Sequence, residues 1–320
     1  VENSSLSINL KNIATKQTFG VFLALLAIWV FFSITTDAFL SVNNFINILR
    51  QSSVIGIIAI AMTMLITSQE FDLSVGSMFA LSGVILGFFA LTLGINQWLA
   101  LLLTFAFAII VGLVNGMITL KIGIPSFITT LGTMMLLRGG ALVLSGGYPV
   151  SGFRNLTFIR LVGGRFLGLP VMAIWFLIIT VIGYIIMNKT KLGYKMYATG
   201  GNTKAARLSG INTDKIKLIG FVLTSVSATI ACLTSIGFLG MVSPTQGQGF
   251  ELEVIAASVV GGTALFGGSS SIVGAFLGAI IMGSIKNGLS IMGTSAYLQQ
   301  AFIGLVVIIA VIINVQFQDD

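Results

Sequence analysis

The sequence has no histidine and a single cysteine, Cys232, in 320 residues. With one cysteine no disulfide can form within the chain. With no histidine, neither a Cys/His zinc site nor a histidine-based catalytic triad can be built. Cys232 lies in an apolar run and reads as a small packed hydrophobe. Charge is scarce too: Asp, Glu, Lys and Arg make up 8% of the residues, against about 25% in a soluble domain.

What is present is apolar surface. Hydrophobic residues make up 56% of the chain. Length alone would allow two domains, but apolar stretches recur from end to end. Residues 1–320 therefore read as one all-α, polytopic membrane domain. The net charge of +7 would suggest nucleic acid in a soluble protein. Here the cations sit in loops and no basic patch is interleaved with aromatics, so membrane lipid is the expected partner and nucleic acid is not. No metal or cofactor site is expected, and no ATP-binding motif is present. The faint phosphate-loop likeness of "GGTALFGGSSS" lacks the Lys-Ser/Thr ending such a loop needs.

A helix needs about 20 apolar residues to cross roughly 30 Å of hydrocarbon. That rule gives about ten segments, near 19–36, 52–68, 73–93, 97–119, 124–145, 170–187, 217–241, 254–267, 270–292 and 297–315. The eighth is short for a full span. The first follows Lys11 and Lys16 and reads as a retained helix rather than a signal peptide. With the N-terminus inside, ten Lys and Arg (Lys11, Lys16, Lys121, Lys189, Lys191, Lys195, Lys204, Arg207, Lys215, Lys217) face one side and four (Arg50, Arg154, Arg160, Arg165) the other. This bias predicts both termini in the cytoplasm, although the Arg-bearing loop 146–168 runs against it.

Two stretches resemble each other. "FDLSVGSMFALSGV" from Phe71 and "FELEVIAASVVGGT" from Phe250 align without gaps, sharing Phe, Leu, Val and Gly positions and an acid at Asp72/Glu251. Further on, Asn115-Gly116 echoes Asn287-Gly288. Five spans separate the copies, and an odd number inverts the second. The expectation is an inverted repeat with halves at roughly 19–145 and 170–315, and a pathway along their interface. Asp72 reads as a helix N-cap with Ser74 beside it, where a carboxylate meets free backbone N–H groups and the positive end of the helix dipole. Glu70 reads as solvated and Arg138 as interfacial. Lys286 reads as a snorkelling or satisfied lysine beside Asn287, with a pathway or inter-subunit residue as the sharper alternative. Asp72, Ser74, Asn115 and Asn287 are the candidates for the translocation path.

The soluble stretch "NKTKLGYKMYATGGNTKAARLSGINTDKIK", Asn188–Lys217, has internal order. Gly200-Gly201 reads as a turn, Asn202 or Thr203 as a cap, "KAARLS" as a short helix, Gly210 as its left-handed stop, and Thr213 or Asp214 as the next cap. A small rigid helix between turns suits docking of a cytoplasmic partner.

Taken with "DLSVGS" and "GGTALFGGSSSIVGAFLGAIIMGSIKNGLSIMG", this loop resembles the membrane permease subunits of bacterial ATP-binding-cassette importers for ribose and related simple sugars, over about residues 20–315. The resemblance implies a type II-like importer arrangement in the inner membrane. It implies a second permease copy or related subunit, a cytoplasmic ATPase and a periplasmic sugar-binding protein. It also implies an ATPase-coupling role for Gly200, Gly201, Asn202, Lys204, Ala205, Ala206, Arg207, Ser209 and Gly210. Where the family often reads Gly-Gly-Ile before Asp-Leu-Ser-Val-Gly-Ser, this chain has Gln69-Glu70-Phe71. The rival is an ion-coupled secondary sugar transporter using Asp72 and Lys286. An intramembrane enzyme is disfavoured, since no nucleophile–base cluster stands out by spacing.

Overall fold

The structure is a computed structural model that describes residues 2–316; side chains of residues 2–17, 160, 310 and 313–316 are outside the description, including those of Lys11, Lys16 and Arg160 in the charge count. In chain order the helices are α1 (Glu2–Thr35), α2 (Val42–Thr67), α3 (Val75–Gly87), α4 (Gln97–Met117), α5 (Ser126–Ser145), α6 (Ile159–Val162), α7 (Val171–Lys189), α8 (Lys191–Gly201), α9 (Thr203–Leu208), α10 (Thr213–Leu239), α11 (Phe250–Val260), α12 (Ile272–Ile291) and α13 (Ala296–Gln316). Short π-helical turns, Phe88–Thr92 and Ile118–Ile122, extend α3 and α4.

Among the described residues, eight helices are long and apolar enough to cross a membrane, contributed by α1, α2, α3 with its extension, α4 with its extension, α5, α7, α10 and α12. In lipid every backbone N–H and C=O must be satisfied internally, which is why the apolar runs become helices. They sort into inner and outer sets. The apolar window of α2 is 78% buried and that of α1 only 17%. On α2, Ile57, Ile58, Met62, Leu65 and Ile66 are fully enclosed, whereas α5 leaves Phe127, Met135, Leu136 and Val143 exposed. The inner set packs α2 on α12, α10 on α4, α10 on α2, α10 on α3 and α2 on α11, with α3 against α5 and α11 against α13 outside it.

The eighth segment lies earlier than its hydropathy window. It is α11, which stops at Val260 because Gly261 and Gly262 follow and Gly262 takes φ +89°. The Gly274-x-x-x-Gly278 pattern serves contact within the chain. A Cβ at Gly274 would stand 1.8 Å from the Gly261 carbonyl oxygen, so only glycine lets α12 lie backbone to backbone on the end of α11.

There are two short strand pairs: β1 (Val150–Ser151) pairs antiparallel with β4 (Met241–Val242), and β2 (Arg165–Phe166) folds back on β3 (Leu169–Pro170). The β1–β4 pair fixes loop 146–170 to the segment after α10. Those loops form one end of the molecule, and residues 68–71, 190–212 and 261–271 form the other.

Candidate functional site

Asp72 is fully buried, with no cation within ion-pair distance among the described residues. Its Oδ1 accepts from the Ser74 backbone N–H at 2.9 Å and the Ser74 hydroxyl at 2.6 Å. This is an Asx turn ahead of α3 and corrects the expected Asp72 cap: the N-cap position before Val75 is Ser74, which makes no side-chain cap. Thr224 Oγ1, about three turns along α10, lies 2.7 Å from Asp72 Oδ2 as donor. The chain of bonds continues. Asn115 Nδ2 donates to Ser74 Oγ at 3.1 Å, and Thr133 Oγ1 donates to Asn115 Oδ1 at 2.7 Å. Phe71 N–H and Leu73 N–H donate to the hydroxyls of Ser126 and Thr130 on α5. The extended segment into α3 is thereby tied to α4, α5 and α10. A buried network of this kind is stable only when each member is satisfied.

Three of the four path candidates, Asp72, Ser74 and Asn115, are thus brought together. Asn287 is not. It sits on α12, buried, with Oδ1 unpartnered among the described residues. The hydroxyls of Thr133, Ser126, Thr130 and Thr224 belong to the same network, and sequence reading missed them because a threonine inside an apolar helix looks like any other.

Glu70 is a correction. It is buried, not solvated, and its Oε1 accepts from Lys217 Nζ at 2.7 Å, tying the end of α2 to the start of α10. Arg138 is half-buried; its Nη1 donates to the carbonyls of Pro244 at 2.6 Å and Gln246 at 3.0 Å. Lys286 pairs with Glu253 of α11 at 2.9 Å and stands 5.9 Å from the Phe250 ring centre. It opens on a cavity of about 230 Å³ together with Arg50, Gln51, Gln246 and Glu253. Glu253 escaped sequence reading, although it lies in the repeated stretch.

At the opposite end, residues 188–217 form α8, α9 and the start of α10. Thr190 caps α8, accepting from Leu192 N–H, and Asn202 caps α9, accepting from Ala205 N–H at 3.0 Å. Gly210 takes φ +81° after α9, as expected of a left-handed stop. Asn212, not Thr213 or Asp214, caps α10; Asp214 instead pairs with Arg207. The expected turn at Gly200-Gly201 is corrected as well. Both glycines are the last residues of helix α8, and Gly200 is a glycine for contact. A Cβ at Gly200 would lie 1.7 Å from the Thr67 carbonyl oxygen, which also accepts from Gly268 N–H at 3.0 Å. Tyr197 of α8 donates to the Ser270 carbonyl at 3.2 Å, and its burial pushes the phenol above its ordinary range, so it stays a donor. Lys204, Ala205 and Leu208 are exposed on α9, with Ala206 turned inward.

Residues 190–212 therefore form a two-helix platform seated on the end of α2 and the loop ahead of α12, presenting cations outward. The profile of the family described as "Branched-chain amino acid transport system / permease component" matches residues 44–311. The chain belongs to that family. The ribose import permease protein RbsC of Escherichia coli K12 is 40% identical over 265 residues, 82% of each chain. The protein of the same name from Bacillus subtilis 168 is 37% identical over 268 residues, 83% of each. The xylose transport system permease protein XylH of E. coli K12 is 33% identical over 83% of each. No solved structure matches the chain. Membership makes it a multi-pass inner-membrane permease, not an enzyme by itself. An ATPase and a periplasmic binding protein are the partners such an importer component implies.

Proposed function

We propose that this chain is the membrane subunit of an ATP-driven importer that passes ribose or a related monosaccharide delivered by a periplasmic binding protein. The family description names amino acids, but a shared helical scaffold does not fix the cargo. The observation that carries the reading is likeness along four-fifths of the chain to permeases whose names state ribose and xylose. The permease pairs with a second copy or a related subunit, its termini face the cytoplasm, and α8–α9 dock the ATPase.

The packing supports the inverted repeat. Exchanging α2, α3, α4 and α5 for α10, α11, α12 and α13 turns the α2–α12 contact into α10–α4, the α10–α3 contact into α2–α11, and the α3–α5 contact into α11–α13; all six occur. Each half also has a non-helical crossover, 68–74 and 240–249, leading into its short helix. The second crossover meets the start of α3 where Gly247 and Gly76 abut, and Phe79 and Phe250 pack edge-on at 5.3 Å between ring centres. ATP binding moves the docked platform, and the halves tilt about this meeting point to alternate access. Asp72, Ser74 and Asn115 hold the first crossover beside the path, and Asn287 lies on the equivalent helix of the second half.

The ion-coupled rival needs Asp72 and Lys286 as a working pair. In this fold Lys286 answers Glu253, and Asp72 is surrounded by hydroxyls. The test is transport of radiolabelled D-ribose and D-xylose into vesicles holding the permease with its co-purified ATPase and receptor. Uptake should stop when the ATPase is inactivated. Uptake that survives without ATP and collapses with an uncoupler would sink the reading.

A further inference from the structure

The end of α2 is built with an unusual residue at a demanding place. Gln69 N–H donates to the Ile66 carbonyl and Glu70 N–H to the Leu65 carbonyl, the paired bonds of a Schellman helix end. That motif puts Gln69 in the left-handed region at φ +69°, where glycine is the unstrained choice. A strained residue persists where its surroundings hold it. Here the Gln69 side chain packs on Gly267, where a Cβ would come within 2.6 Å of Gln69 Cγ. Its Oε1 accepts from Thr203 Oγ1, in the first turn of α9, at 3.2 Å; the same hydroxyl lies 2.7 Å from the Thr199 carbonyl. The next residue, Glu70, is clamped to Lys217 of α10. From Phe71 onward the backbone is committed to Ser126, Thr130 and the Asp72 network.

We infer that Gln69 and Glu70 are positioning residues that carry displacement of α8–α9 into the crossover preceding α3, by clamping that crossover to Thr203 on one side and Lys217 on the other. This inference rests on the reading of α8–α9 as the ATPase's platform. The geometry favours a stiff link. Every residue from Gln69 to Ser74 is anchored by a hydrogen bond or ion pair, so a shift of the platform has little slack to absorb it before the first turn of α3.

The test uses the permease with its co-purified ATPase in lipid nanodiscs. Cys232 is buried, so introduced cysteines take spin labels selectively. One pair, Leu208→Cys with Leu177→Cys, reports α9 against α7; the other, Leu93→Cys with Leu177→Cys, reports α3 against α7. All three positions are exposed. A non-hydrolysable ATP analogue should shift both distances in the parent protein. In Gln69→Gly, which relieves strain, combined with Glu70→Gln, which keeps shape, the α9 shift should remain and the α3 shift should fall by at least half. Exchanging the charges (Glu70→Lys with Lys217→Glu) on a native Gln69 background should restore it. An α3 shift of undiminished size in the double variant would overturn the inference, and so would loss of the α9 shift itself, which would place these residues in docking rather than transmission. If the analogue moves neither pair in the parent protein, the platform reading fails first and this inference falls with it.

Discussion

Gly200 has no room for one more carbon. The clash would be with the Thr67 backbone oxygen, which cannot swing aside as a flexible side chain could. Over-packing typically costs about 1–3 kcal/mol, and a backbone partner puts Gly200→Ala at the upper end of that range. The expected outcome is a lower unfolding temperature in detergent and weaker retention of the ATPase on purification, whereas Gly201→Ala, with open space at its Cβ, leaves both unchanged. A second residue-level prediction concerns Glu253 and Lys286. Glu253 is buried and Lys286 is about one-third exposed, so the pair is partly screened. Glu253→Ala strands a cation and should cost about 1–3 kcal/mol; adding Lys286→Met should recover most of it, because removing both charges also removes the desolvation cost. Chemical or thermal unfolding of the three variants checks this. Residue roles were the least legible part of the sequence. Glu70 reads as solvated by position alone, since nothing in "SQEFD" announces that Lys217, far along the chain, folds back over it. The bond of Asp72 to the nearby Ser74 N–H was legible, because it is local, but the N-cap itself falls at Ser74.

Elements were easier to read than residues, for a physical reason. Hydropathy integrates over a turn or more, so each of the ten apolar windows contains a helix, while ends set by single glycines moved. The eighth window slid to α11, Phe250–Val260, once Gly261-Gly262 stopped the helix. Helix α8 was missed because Gly200-Gly201 reads as a turn, whereas Gly200 serves a backbone contact with Thr67, far off in the chain. Helix α9 was legible because its cap, Asn202, and its stop, Gly210, flank it closely in sequence. That element carries a prediction. Gly210→Ala pays about 1–2 kcal/mol for a Cβ at φ +81°. Gly210→Pro cannot adopt that φ at all and also loses the N–H that donates to the Arg207 carbonyl at 3.0 Å. Ala206→Glu forces a carboxylate into a buried position. Both Gly210→Pro and Ala206→Glu should abolish uptake while the protein remains in the membrane, and Gly210→Ala should only reduce it. Full coupling in the two severe variants would remove α9 from the docking role.

At the scale of the whole molecule, the fold has two ends, and the membrane decides what each can do. One end gathers β1, β4 and the Arg165 hairpin; the other gathers α8, α9, the end of α2 and the turn after α11. The charge bias assigns the second end to the cytoplasm by ten cations to four. Two of the four dissenting cations are spoken for by the protein: Arg50 lies 4.2 Å from the Phe238 ring centre, and the Arg154 side chain packs on Gly240. Neither arrangement exists in the unfolded loop that the insertion machinery meets, so they explain how those cations are tolerated after insertion rather than how the chain is oriented. Orientation therefore needs its own measurement. Cysteine introduced at Leu167, which is exposed on the hairpin, should react with a membrane-impermeant maleimide in intact cells, and cysteine at Leu208 only after the membrane is opened; Cys232, buried, should stay silent in both. The opposite pattern would put the α8–α9 platform outside, beyond reach of any cytoplasmic ATPase. No rearrangement of side chains could then rescue the coupling role, whatever the relatives are named.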